Sequence, residues 1–108
     1  MILIRKKTIV RMVNIIASVI ANSQEFKIGK TGDTVENRRK EPDYNNDYPH
    51  VERLYSSKYK FMVDFMEAFL IDSFIDNNKC ANDKNGKRSI NDNMTLKAEK
   101  YSVYIVWK

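Results

Sequence analysis

EFKIGKTGDTVENRRKE, residues 25 to 41 of a 108-residue chain, is the stretch around which the fold is read. Glu25 to Ile28 alternates, with Phe26 and Ile28 on one face of a strand and Lys27 on the other. Gly29 and Gly32 mark the place where that strand must turn. Asp33 stands where an N-cap belongs, and Glu36 follows three residues later as a capping-box acid. Val35 to Lys40 then forms the first turns of a helix that displays Arg38 and Arg39, and Pro42 stops it by Glu41.

Upstream, Val13 to Ala21 is dense in isoleucine and valine, and this β-branched content predicts a strand over Asn14–Ala21. Asn22–Gln24 is the turn that would join it to Glu25–Ile28 as a hairpin. Residues 1–12 extend the domain as an extra strand or a lead-in. The apolar run from Met12 to Ala21 is too short to span a bilayer. No cleavage site of the small-x-small kind follows it. It reads as structure rather than as a targeting segment.

Downstream, Asp43 to His50 is loop by composition, and Val51 to Tyr55 fits either a short strand or a helical turn. Lys60 to Ile75 is the surest helix. Phe61, Phe65 and Phe69 recur at four-residue spacing beside Met62, Met66, Leu70 and Phe74, so these aromatics are expected to pack in the core. Asp64, Glu67 and Asp72 mark its wetter side. Asp76 to Asn93 is a polar tract with an Asn85-Gly86 turn, Met94 to Lys100 reads as a helical piece, and Tyr101 to Trp107 as a final strand. The expected fold is a single α/β domain over residues 1–108, with a small, mainly antiparallel sheet of three or more strands and helices packed on it.

Composition narrows the functional classes. With only 3 glycines and 2 prolines the chain is neither collagen-like nor linker-rich. A formal net charge of +5 favours an acidic or polyanionic partner. Cys80 is the only cysteine, which excludes an internal disulfide and makes an intracellular location the default. Gly29-Lys30-Thr31 looks like the end of a P-loop. The first glycine of that motif would fall at Gln24, and residues 25–28 are strand, so phosphate cradling of that kind is rejected.

Several side chains are candidates for chemistry. Adjacent arginines can grip a phosphate, and this puts Arg38 and Arg39 forward. Glu67 lies beside an apolar stripe, where a carboxylate needs a partner or a wet cleft. One such carboxylate is an acceptable magnesium tether when substrate phosphate completes the shell. His50, the single histidine, is a candidate proton acceptor, as are Tyr44, Tyr48 and Tyr55.

Together, Lys27-Ile28-Gly29-Lys30-Thr31 with Arg38 in the following helix resembles the second half of the GIY-YIG nuclease motif. The likeness is to the branch whose strand reads aromatic-Lys-Ile-Gly-Lys-Thr, and it covers roughly residues 14–75. It implies a GIY-YIG-like fold and a metal-dependent DNA endonuclease using Mg²⁺ or Mn²⁺. Glu67 takes the metal-binding glutamate and Arg38 the arginine facing the scissile phosphate, with Arg39 as its rival. The GIY position falls at Ile16-Ala17-Ser18, which has neither glycine nor tyrosine. On this reading Tyr44, Tyr48 or His50 substitutes for the missing tyrosine, and Lys27, Lys30, Arg38 and Arg39 contact DNA. The alternative is a degenerate module that binds nucleic acid or assembles with protein. Self-association or a protein partner fits either, and a third option, a protein-interaction domain, would be favoured by an exposed apolar patch at Met1–Ile4 or Tyr101–Trp107.

Overall fold

The computed structural model describes residues 4–32, 34–41, 47–83 and 99–108. Six elements follow in chain order: α1 (Lys6–Asn22), β1 (Phe26–Thr31), α2 (Val35–Arg39), β2 (His50–Ser57), α3 (Lys60–Phe74) and β3 (Tyr101–Trp107). The three strands form one sheet in the order β1-β3-β2, antiparallel throughout. The expected α/β class with a small antiparallel sheet is the one observed.

The expected strand over Asn14–Ala21 and its hairpin are not formed, nor is there a strand in residues 6–12. The whole segment is helix α1. Met12, Ile16 and Val19 are its buried residues, and their i, i+4, i+7 spacing is helical. Three buried side chains on one stripe outweigh the weak β preference of isoleucine and valine. Lys79, from beyond α3, donates its ammonium to the Ile20 carbonyl at 2.6 Å, which satisfies one of the acceptors left over at the helix end.

β3 is the centre of the molecule. Tyr101 to Val106 are all buried, because helices cover both faces of the sheet. Tyr101, Val103 and Ile105 meet Phe26, Ile28 and Leu54, together with the inward residues of α1 and α3. On the other face Tyr104 and Val106 pack with Tyr48, Val51 and Val35 of α2. Tyr101–Trp107 is therefore core, not an exposed patch.

Each side strand has its own device for occupying its outer edge. In β2 the pairing with β3 shifts between Arg53 and Tyr55, leaving Leu54 as a bulge. Its carbonyl accepts from the Arg11 guanidinium at 2.7 Å. Beside β1, Ala81 N donates to the Phe26 carbonyl and Phe26 N to the Lys79 carbonyl. The Asn82 amide then clasps Ile28, accepting from its N–H and donating to its C=O, each at 2.9 Å. A side chain thus stands in for a fourth strand. Asn82→Ala is expected to cost about 1–3 kcal/mol and to speed amide exchange at Ile28 selectively. Exchange unchanged at Ile28 would show that the clasp does not hold the edge.

α3 lies where the sequence places it, but it is turned. Met62, Val63, Asp64, Met66, Leu70 and Ile71 are buried, whereas Phe61, Phe65 and Phe69 are about half exposed at 50%, 55% and 47%. The expected core role of these three phenylalanines is corrected: the helix is apolar on nearly every side, and another stripe faces the sheet. Among the described residues no helix is long and apolar enough to cross a membrane. Asp33, Tyr44, the Asn85-Gly86 turn and most of Met94–Lys100 lie outside the described residues, as does most of the Met1–Ile4 patch.

Candidate functional site

The site begins at the end of β1. Phe26, Ile28 and Lys30 alternate onto the face covered by α3, so the Lys30 ammonium enters the layer between sheet and helix. There it meets Asp64 Oδ1 at 2.9 Å and Glu67 Oε1 at 3.7 Å. The other Asp64 oxygen accepts from Lys60 at 2.9 Å. Asp64 is 1% exposed, and two cations with two carboxylates leave the cluster formally neutral. A buried carboxylate is tolerated here because both its oxygens are matched by ammonium groups. The Lys60–Asp64 spacing of four residues was the sequence signal for half of this cluster.

The opposite face of β1 carries Lys27, Gly29 and Thr31. Gly29 pairs with Tyr104 of β3, and the phenol of Tyr104 lies across the glycine. A β-carbon at position 29 would run into the phenol hydroxyl and ring, so the glycine makes room for the tyrosine. Tyr104 is 1% exposed, and Val35 of α2 packs against its cluster. α2 starts at Thr34, whose hydroxyl accepts from Asn37 N at 3.1 Å; this cap is the residue after the expected Asp33. Arg38 is ion-paired to Glu41, three residues on, and Arg39 closes the helix.

The candidates fall into separate places. Glu67 and Lys30 sit under α3, whereas α2 with Arg38 packs over β2 and β3 on the other face. The described contacts do not bring Arg38 and Glu67 into one cleft. His50 is not in a loop: it opens β2 and stacks on Trp107 at 5.4 Å between ring centroids. The pairing of Trp107 with Phe26 puts His50 at the far end of the sheet, four residues and about 13 Å along β1 from Lys30. Tyr48 is buried near that same end, and its hydroxyl donates to Glu25 Oε2. Neither His50 nor Tyr48 stands beside Glu67, so their expected place in one catalytic cluster is corrected. Tyr55 packs partly buried against the α1 and α3 core.

The expected DNA-contacting set divides likewise. Lys30 has a side chain only 9% exposed and committed to Asp64, so it is no part of a basic surface. Lys27 lies on the α2 face, and Arg53, opposite Tyr104 and exposed, shares that face. Beside α2 a cleft of about 440 Å³ is lined by Arg53, Lys100, Glu36 and Glu99 with Gly32 and Ser102. Tyr104, Asp64 and Arg53 are the residues that the sequence reading did not single out. Nothing in local spacing marks Tyr104, because its place depends on a strand partner more than 70 residues away.

Among the described residues no three histidine, cysteine or acidic side chains gather as a metal cage. A divalent ion on this chain would depend on one carboxylate with water and substrate phosphate, and Glu67 suits that donor set. Glu67 Oε1 lies 3.7 Å from the Lys30 ammonium, and Asp64 accepts at both oxygens. Comparison with protein-family models, with curated proteins and with solved structures found no match.

Proposed function

We propose that this chain is a GIY-YIG-type, metal-dependent DNA endonuclease domain whose first strand is supplied from downstream by Tyr101–Trp107. The observation that carries the reading is the position of Tyr104. In the family the tyrosine-bearing first strand forms a hairpin with the Ile-Gly strand. Here the antiparallel neighbour of Phe26–Thr31 is β3, and Tyr104 stands opposite Gly29 with its hydroxyl over it. Tyr104 thereby replaces the tyrosine that Ile16-Ala17-Ser18 lacks. Glu67 would hold Mg²⁺ or Mn²⁺, whose Lewis acidity would stabilise charge on a phosphate oxygen. Lys30 places a second positive charge beside Glu67, whereas Tyr104 lies on the α2 face of the sheet and would hold the pairing of the two strands rather than the water at Glu67.

The test is nicking of supercoiled plasmid with Mg²⁺ or Mn²⁺. The expected result is metal-dependent nicking that falls at least about a hundredfold in Glu67→Gln, with melting of the folded protein retained. No nicking by the unaltered chain, or full nicking by Glu67→Gln, overturns the reading.

A second reading, a non-catalytic nucleic-acid-binding module, is favoured by the ion pairs that engage Lys30 and Arg38 and by the exposed Arg53 on the α2 face. It expects salt-dependent duplex binding without cleavage. Arg53→Ala would lower the salt slope by about one.

A further inference from the structure

The outward face of α3 is apolar where the rest of its surroundings are charged. Phe61, Phe65 and Phe69 form a stripe one turn apart, and Tyr59 leans on Phe61 with ring centroids 6.1 Å apart. Each aromatic side chain offers roughly 150–250 Å². At 47–55% exposure, the four leave on the order of 400 Å² of aromatic surface in water. That is about half of what one partner buries in a stable protein interface. The stripe is bounded by an exposed Lys58 before the helix and an exposed Asp72 in its last turn.

These five positions are symmetric about Phe65. Phe61 and Phe69 lie four residues to either side of it, and Lys58 and Asp72 lie seven to either side. Such an arrangement is self-complementary under a two-fold axis through Phe65. In an antiparallel pair of α3 helices, Phe65 meets Phe65 of the second copy and Phe61 meets Phe69. Lys58 meets Asp72 at both ends. A parallel pair would oppose like charges instead. Within α3, spacings of three and four residues along 61, 65, 68 and 72 follow the seam of a two-helix coil, Lys58 stands two residues before the helix begins, and Ala68 is small enough to let the helices approach.

We infer that two copies of this chain dimerise through α3, antiparallel about Phe65. Sedimentation of the full chain from low micromolar to near-millimolar concentration tests this. A monomer–dimer equilibrium is expected, weakened at least about tenfold by Phe65→Glu, a central aromatic replaced by a charge. Lys58→Glu and Asp72→Lys each weaken it, and the double charge reversal restores it. Thermal melting of each variant shows that the monomer stays folded, as expected for two exposed side chains. For orientation, Phe61→Cys and Phe69→Cys are made separately in a Cys80→Ser background and mildly oxidised. Mixing the two yields the cross-link, and each alone yields little. A monomer throughout the range overturns the inference, as does a dimer indifferent to Phe65→Glu. Cross-linking within each single variant, or no recovery on charge reversal, overturns it equally.

Discussion

Asp64→Ala is expected to destabilise the fold by about 3–5 kcal/mol. The side chain lies 1% exposed between two ammonium groups at 2.9 Å. Removing it takes from the Lys30 charge, in a low-dielectric layer with its side chain 9% exposed, its contact at 2.9 Å, and Glu67 lies farther off at 3.7 Å. The energy at stake is the cost of an uncompensated buried cation rather than the net worth of the pair. Replacing both members, Lys30→Met with Asp64→Leu, should therefore recover part of the loss, since the most buried charges go together while Lys60 and Glu67 keep more access to water. Urea unfolding of the three variants decides the matter. A loss below about 1 kcal/mol for Asp64→Ala would mean that water reaches Lys30 and that the cluster is no part of the core.

Gly29→Val should cost about 2–3 kcal/mol through collision with Tyr104. In a strand, valine ordinarily improves on glycine, so the sign of this effect belongs to the site. No unusual backbone angle is involved; the obstacle is a phenol ring that is itself buried and cannot swing into solvent. Tyr104→Ala removes the obstacle. The penalty of Gly29→Val in that background should shrink to less than about 1 kcal/mol, giving a strongly negative coupling in the double-mutant cycle. Additive losses would show that Tyr104 does not lie over the glycine.

The sequence marked β1, α2, α3 and β3 because each has a local signature: alternation, a cap, a long apolar period or a run of β-formers. It misled where composition and period disagree. Asn14–Ala21 has the residues of a strand, but Met12, Ile16 and Val19 have the spacing of a helix, and burial followed the spacing. In α3 the acids read as the wet side, a pattern that points the phenylalanines inward, whereas Asp64 is buried and the phenylalanines are half exposed. Asp64 is buried because Lys30 arrives from a strand that no local rule connects to it. The same limit applies to the site. Glu67 could be singled out from its apolar neighbours, whereas Tyr104 becomes meaningful only once β3 is known to lie beside β1.

The position of β3 also governs how the chain can be made. β1 and β2 leave the ribosome well before the strand that stands between them, and they do not pair with each other. Until residues 101–107 emerge, both strands have open edges on the side later filled by Tyr101–Trp107. The hydrophobic faces of α1 and α3 meanwhile have only half a sheet to cover. Every β1–β3 pairing closes a loop of more than 70 residues, which places the main entropic barrier late and makes folding slow for so small a domain. A nascent chain stalled before Tyr101 would be a natural client for chaperones, since its exposed strand edges invite pairing with other chains.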